Sequence, residues 1–119
     1  MTDKSRRLPD WLQDIREAIH NVRSDLGGLT KLEFEADGKT IRAVTKGIED
    51  IGEAANQVMR IAPALEASHP QAWQHLKRVY AMRNILSHSY FRTDTGVVWD
   101  TVHLQLPQLE ALLADISGD

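Results

Sequence analysis

The stretch IRAVTKGIEDIGEAANQVMRIA, from Ile41 to Ala62, decides the fold. Its apolar residues recur at alternating intervals of three and four, which places their side chains on one face of an α-helix. These residues are Ile41, Val44, Ile48, Ile51, Ala55, Val58 and Ala62. An apolar face of about six turns predicts a long helix that packs lengthwise against neighbouring helices in a bundle.

Two glycines interrupt this predicted helix, and a proline ends or kinks it. Gly47 and Gly52 each cost about 1 kcal/mol of helix stability relative to Ala, so we expect them to permit a close approach of another helix. Pro63 lacks the backbone N–H that a helix interior needs. The residues from Ala64 to His69 then form a short connector before Pro70.

The residues before this stretch predict one long helix and one short helix. Pro9 or Asp10 opens the first, and Gly27-Gly28 closes it. Its buried stripe consists of Leu8, Leu12, Ile15, Ile19, Val22 and Leu26. Thr30 and Glu33 have the spacing of a capping box, which predicts one or two helical turns that end near Gly38.

A fourth helix is predicted to begin at Gln71 or Ala72. Its stripe of three-and-four spacing consists of Ala72, Leu76, Val79, Arg83, Leu86 and Tyr90. Arg83 therefore stands where the pattern calls for a hydrophobic residue. Because an unpaired buried charge is very unfavourable, its guanidinium must reach a partner, solvent or a ligand.

The last third of the chain is also predicted to be helical. Thr93 or Asp94 caps a fifth helix that starts with Val97, and Pro107 either kinks it or opens a final helix. The buried face there consists of Leu109, Leu112, Leu113 and Ile116. No stretch alternates with the period of two that marks a strand. The sequence thus predicts an all-α, up-and-down bundle of four to five main helices.

Length and composition favour one soluble domain over residues 1–119, with a flexible polar lead-in over residues 1–7. No apolar run approaches the roughly 20 residues of a membrane span, and the polar start lacks the apolar segment of a signal peptide. The absence of cysteine excludes disulfides, a thiolate nucleophile and a Cys-ligated zinc. We therefore expect a cytoplasmic protein.

Positive charge is concentrated in one segment of an otherwise acidic chain. The formal net charge is −3, yet residues 67–93 contain no Asp or Glu and carry Lys77, Arg78, Arg83 and Arg92. That segment carries +4, which leaves −7 for the rest. The pattern suits either an ordinary basic helix face or a surface that binds RNA phosphate.

Arg83 and His88 together supply the groups that RNA cleavage needs without a metal. Histidine has an ordinary pKa near 6.5, which suits proton transfer at neutral pH. Arginine offers a permanently charged fork that fits phosphate oxygens. The sequence predicts Arg83 as phosphate clamp and His88 as acid or base, with Asn84 and Ser87 available to bind phosphate or ribose.

Helical geometry separates this pair. On a straight helix His88 lies about 140° around from Arg83 and about 7.5 Å along the axis. Either the helix unwinds near His88, so that the ring turns back, or the site combines residues from two chains. A purely structural interpretation is also open, in which the cations complement the helix dipole and Arg83 pairs with a carboxylate such as Glu53.

A metal site is the competing chemical interpretation. Glu17 with His20 and Glu66 with His69 have the Glu-x-x-His spacing of di-iron bundles. Glu17 falls on the solvent side of its helix, however, and the second pair lies between two prolines. We expect His75 and His103 to be surface or boundary residues. The chain has no phosphate-cradling glycine loop, and we predict neither a metal nor a cofactor.

The sequence from Arg83 to Tyr90, RNILSHSY, resembles the Arg-x4-His-x-Tyr motif of the HepT-like toxins in the HEPN superfamily of higher eukaryotes and prokaryotes nucleotide-binding domains. The resemblance runs from Leu8 to Ile116. It rests also on Ile51-Gly52-Glu53-Ala54-Ala55, Met82-Arg83-Asn84-Ile85-Leu86, Tyr90-Phe91, Val98-Trp99 and Leu106-Pro107, which follow the family order.

This resemblance implies a HEPN-like bundle that acts as a homodimer, with the motifs of two protomers facing each other across a cleft. It implies a metal-independent endoribonuclease, the toxin half of a toxin–antitoxin module. It also implies that a minimal nucleotidyltransferase antitoxin transfers AMP to the Tyr90 hydroxyl and silences the site. The alternatives are a non-catalytic helical adaptor that regulates the nucleotidyltransferase, and a dimeric bundle without activity.

Overall fold

The computed structural model describes residues 6–88 and 94–116, and the regular secondary structure in these ranges is entirely helical. The helices are α1 (Leu8–Leu26), α2 (Lys31–Glu35), α3 (Gly38–Ile61), α4 (Leu65–Ser68), α5 (Pro70–Ser87), α6 (Thr95–Asp100) and α7 (Leu106–Leu113), and a π-helical turn (Thr101–Gln105) joins the last two. The predicted all-α fold is confirmed. No helix in the described ranges is long and apolar enough to cross a membrane.

Helix α3 is the central element and packs against both α1 and α5. Its predicted apolar face is confirmed: Val44, Ile48, Ile51, Ala55 and Val58 are fully buried, and the two end residues of the stripe pack at the edge of the core. The helix begins three residues before the stripe because the side chain of Asp37 accepts a hydrogen bond from the backbone N–H of Thr40 at 3.1 Å.

The two glycines of α3 permit close helix approaches, as predicted. A Cβ added at Gly47 would overlap the side chain of Val22 on α1. A Cβ added at Gly52 would overlap Cβ of Arg83 on α5 and lie 2.8 Å from the carbonyl oxygen of Val79. Glycine therefore sets the distance of α3 from both neighbouring helices, and on one side it does so at the predicted functional arginine.

The ends of the first two helices follow the predicted signals. Helix α1 ends at Leu26, and the next residue, Gly27, has a φ of 59°, which favours glycine. Helix α2 begins with the predicted capping box. The Thr30 hydroxyl accepts from the backbone N–H of Glu33 at 3.2 Å, and the Glu33 carboxylate accepts from the backbone N–H of Thr30 at 2.9 Å. The second of these bonds lowers the pKa of Glu33.

The C-terminal part is one helical run without an intervening loop. Asp94 caps α6 by accepting from the backbone N–H of Val97 at 3.1 Å, which confirms one of the two predicted caps. Pro107 lies in the first turn of α7, directly after the π-helical turn. Because proline lacks an N–H and crowds the carbonyl four residues before it, the wider turn accommodates Pro107 without a break.

Part of the predicted lead-in is anchored to α1. The guanidinium of Arg6 pairs with the carboxylate of Asp14 and stands 4.2 Å from the ring centroid of Trp11. Arg7 occupies the N-cap position of α1, and its backbone N–H donates to the carboxylate of Asp10 at 2.9 Å. The rest of the lead-in, residues 1–5, lies outside the described residues.

Candidate active site

Arg83 lies on α5 at the point where α5 touches α3. Its Cβ and Cγ cover Gly52, so the aliphatic stem fills the place that the helical stripe assigns to a hydrophobic residue. The side chain as a whole remains 35% exposed. The guanidinium therefore stays at the surface while the stem packs, which reconciles a charged residue with a buried stripe.

The guanidinium of Arg83 has two polar neighbours. Its Nη1 donates to Oδ1 of Asn84 at 3.1 Å, and its Nη2 lies 3.6 Å from Oε2 of Glu53 on α3. The other carboxylate oxygen of Glu53 accepts from the side-chain amide of Gln57 at 3.3 Å. The ion pair with Glu53 was the partner expected under the structural interpretation, and it is present.

His88 stands directly after the last residue of α5 and turns back toward it. The helix ends at Ser87, and His88 has φ −102° and ψ 1°, outside the regular helix. Its Nδ1 lies 2.6 Å from the backbone carbonyl oxygen of Asn84. A carbonyl oxygen only accepts, so Nδ1 carries a proton and the neutral ring keeps its lone pair on Nε2. The imidazole is exposed, and in the described part of the chain only Nδ1 of the ring has a hydrogen-bond partner.

Asn84 connects the two predicted catalytic residues through different atoms. Its side-chain oxygen binds Arg83, and its backbone oxygen binds His88. The ring of His88 turns back as far as the Asn84 carbonyl oxygen, and the described residues show no direct contact between His88 and Arg83. A site that combines residues from two chains stays a prediction. The sequence suggested Asn84 as a ligand-binding residue, whereas in the structure its oxygens organise its neighbours.

The remaining motif residues fall into two groups. The hydroxyl of Ser87 donates to the carbonyl oxygen of Arg83 at 2.8 Å, so its proton is used within the helix and its lone pairs remain as acceptors. Tyr90, the predicted modification site, lies outside the described residues, as do its neighbours in residues 89–93. The predicted role of Tyr90 stays a prediction.

The Glu-x-x-His pairs considered for a metal do not converge. Glu17 and His20 are exposed on α1, and His69 pairs with the hydroxyl of Ser68 at 2.8 Å between α4 and α5. In residues 6–88 and 94–116 no three His, Asp or Glu side chains are grouped so that they could hold a metal ion.

The other two histidines differ from each other. His103 is exposed, stacks on Trp99 with ring centroids 3.9 Å apart, and its Nδ1 lies 2.8 Å from the Trp99 carbonyl oxygen. His75 is half-buried with an unpaired Nδ1, beside a cavity of about 200 Å³ between α5 and α7. Burial, with a smaller contribution from the cation of Arg78, lowers the pKa of His75. The lining of that cavity includes neither Arg83 nor His88.

The sequence did not predict that Gln57 belongs to this arrangement or that Asn84 contacts both Arg83 and His88. The spacing of four residues between Glu53 and Gln57 on one helix is a signal that was available. Asn84 and His88 have the same spacing of four residues, but the sequence does not show that His88 binds the backbone carbonyl oxygen of Asn84.

Comparison with known proteins identifies the family. The family described as "Ribonuclease HepT-like" matches residues 15–116. A Thermococcus cleftensis protein named "Probable ribonuclease HepT" is 35% identical over 105 residues, which cover 88% of this chain and 91% of that protein. A Methanocaldococcus jannaschii protein named "Putative RNase" is 31% identical over 114 residues, covering 92% and 89%. No solved structure matches the chain significantly. The chain therefore belongs to the HepT-like ribonuclease family.

Proposed function

We propose that this protein is a metal-independent endoribonuclease, the toxin half of a toxin–antitoxin module, with Arg83 and His88 as its catalytic residues. The observation that carries the proposal is the arrangement around Asn84, which holds a surface guanidinium and an imidazole with a defined proton position at one end of α5. Family membership and the names of the relatives support the choice of RNA as substrate.

Cleavage requires one proton to be removed and one to be supplied. The 2′-hydroxyl oxygen of a ribose attacks the adjacent phosphorus and gives its proton to a base, a role that we assign to His88 Nε2. The 5′-oxygen leaves with a proton from an acid, and a 2′,3′-cyclic phosphate remains. Arg83 stabilises the negative charge that develops on the phosphorane oxygens.

A homodimer completes this scheme. In the described part of one chain, the end of α5 supplies one histidine, which suits one of the two proton transfers. A second copy of the chain facing the first supplies the other histidine. The resemblance supports this assembly, because the family arranges two motifs across a cleft.

Regulation at Tyr90 is the second part of the proposal. A partner nucleotidyltransferase transfers AMP to the Tyr90 hydroxyl, two residues from His88 in the chain. The added phosphate brings negative charge and bulk to the motif, and repulsion of RNA phosphate silences cleavage. The presence of tyrosine at this position of the motif supports this role.

Cleavage of end-labelled RNA in excess EDTA tests the proposal. The protein must show the intact mass of an unmodified chain, and His88→Ala and Arg83→Ala are compared with it. His103→Ala is the matched control, because His103 makes the same contact from Nδ1 to the carbonyl four residues earlier. We expect cutting that leaves cyclic phosphate ends, falls at least about 100-fold in the two motif variants and persists in the control.

Two outcomes would reject Arg83 and His88 as catalytic residues. If the unmodified protein does not cut RNA, the non-catalytic adaptor becomes the better description of the chain. If all four proteins cut equally, the nuclease is a contaminant or the site lies elsewhere. Cutting that needs a divalent ion would reject metal independence alone.

A further inference from the structure

Glu53 stands beside the catalytic pair on a different helix, and neither the motif nor the proposed chemistry assigns it a role. Its carboxylate lies 3.6 Å from Nη2 of Arg83 and is held on its other oxygen by Gln57. It directly follows Gly52, the residue on which the stem of Arg83 packs. Gly52 therefore contacts the stem of Arg83, and the next residue, Glu53, lies beside its guanidinium.

The exposure of this ion pair argues against a mainly stabilising role. The side chains of Arg83 and Glu53 are 35% and 48% exposed. Ion pairs with that much contact with water contribute little to folding. The pair of Arg23 and Glu110, which joins α1 to α7, has similar exposure, 44% and 40%, at a shorter distance of 2.9 Å. It provides a natural comparison that lies away from the end of α5.

The contacts of Arg83 fix the direction of its guanidinium. Packing on Gly52 fixes the stem, Asn84 engages one terminal nitrogen, and Glu53 attracts the other. A guanidinium has five N–H donors, so two such contacts leave donors for a phosphate. A free arginine side chain would lose conformational entropy each time it bound phosphate, whereas this one is already oriented.

We infer that Glu53 is a positioning residue for RNA cleavage, one that orients the guanidinium of Arg83 toward the scissile phosphate through a carboxylate that stays bound beside it. This role rests on the proposed ribonuclease function. The positioning role has a distinctive consequence, because the Glu53 carboxylate and the RNA phosphate both bind the guanidinium of Arg83. Their repulsion weakens ground-state binding of RNA, while the fixed direction of the guanidinium raises the rate of the chemical step.

The test is Glu53→Gln, which removes the charge and keeps the shape. We expect kcat to fall about tenfold, since an incorrectly aimed donor loses part of its effect on the transition state. Binding of an oligonucleotide with 2′-O-methyl riboses, which lack the attacking hydroxyl, should tighten about threefold, because a repulsive charge is gone. Glu53→Asp, which keeps the charge, should retain more of the rate.

Glu110→Gln is the matched control, and thermal unfolding is followed for every variant. It removes the same charge from an ion pair of similar exposure, so kcat and binding should stay at the wild-type values. Opposite changes in rate and in binding for Glu53→Gln alone would support positioning, because a merely structural defect weakens both and lowers the melting temperature.

The possible failures are distinguishable. If wild type does not cut RNA, the proposed function fails and this role fails with it. If wild type cuts and both motif variants are inactive, but Glu53→Gln equals wild type or cuts faster, only the positioning role is rejected. Weaker binding together with a slower rate and a lower melting temperature would also reject it in favour of a structural role.

Discussion

On each of its two sides α3 packs closely against a neighbouring helix at a glycine, but the two contacts differ in chemistry. On the α1 side Gly47 meets the fully buried side chain of Val22. On the α5 side Gly52 meets Arg83, whose stem packs on the glycine while its guanidinium remains at the surface beside Glu53. One contact is apolar throughout and the other changes from apolar to charged within a single side chain.

The difference shows how a charged side chain is accommodated in a helix interface. A close approach over glycine anchors the first atoms of Arg83, so that the remaining atoms reach the surface in a defined direction. The contact with Val22 needs no such direction, because dispersion and apolar burial are not directional. The two contacts should therefore respond differently to substitution.

The largest effect is expected from adding a methyl group at the two glycines. In Gly52→Ala the new Cβ meets Cβ of Arg83 and the backbone of Val79, so α3 and α5 must separate. We expect a loss of about 1–3 kcal/mol in the free energy of unfolding, together with loss of RNA cleavage. In Gly47→Ala only the side chain of Val22 must yield, so the loss should be smaller, while the gain of about 1 kcal/mol in helix propensity is common to both variants.

Urea unfolding and the cleavage rate of the folded protein measure both variants. The proposed difference between the two sides of α3 would be contradicted if Gly47→Ala lost more cleavage activity than Gly52→Ala at equal stability.

A second effect concerns the residues that face the glycines. Val22→Ala removes two buried methyl groups and should lower the free energy of unfolding by about 2 kcal/mol, with the cleavage rate of the folded fraction unchanged. Arg83→Ala should change stability by less than about 1 kcal/mol, because its charged end is exposed, yet abolish cleavage. Denaturant titration and kinetics on the same samples separate the two. A stability loss in Arg83→Ala as large as that in Val22→Ala would show that Arg83 is chiefly a packing residue.

The smallest effect is expected in the pH dependence of stability, to which His75 in the first half of α5 contributes. Burial lowers the pKa of His75 below its ordinary value of 6.5, so the unfolded chain binds this proton at a higher pH than the folded chain. Stability should therefore fall as the pH decreases below about 6.5, and His75→Gln should remove part of that fall. The pH profile of cleavage should not change in this variant. Parallel stability curves for wild type and His75→Gln would contradict the assignment.

Local signals in the sequence predicted most of the fold because they act over short distances. The caps by Thr30 and Asp94, the end of α1 at Gly27 and the apolar face of α3 each depend on residues within a few turns. For Pro107 the sequence predicted either a kink in the fifth helix or the start of a final helix, and it did not predict the π-helical turn before this residue. Its form depends on how the α6–α7 run fits the rest of the core, which no local pattern contains.

In the candidate site, too, some features could be predicted from the sequence and others could not. The chemical types of Arg83 and His88 and their spacing were readable from the chain, and so was Glu53 as a possible partner. The link through Asn84 was not, because a helical projection of five residues puts the pair on different faces. In the structure the ring of His88, which stands directly after the last residue of α5, binds the backbone carbonyl oxygen of Asn84.

By itself the sequence determined an all-helical chain and placed an arginine on a stripe that must be buried, since apolar periodicity and side-chain chemistry are properties of the residues. Only the tertiary structure decided that Gly52 lies beneath that arginine and that Glu53 faces its charge. These contacts join residues that lie 31 and 30 positions apart in the chain, and their distances depend on how closely two helices pack.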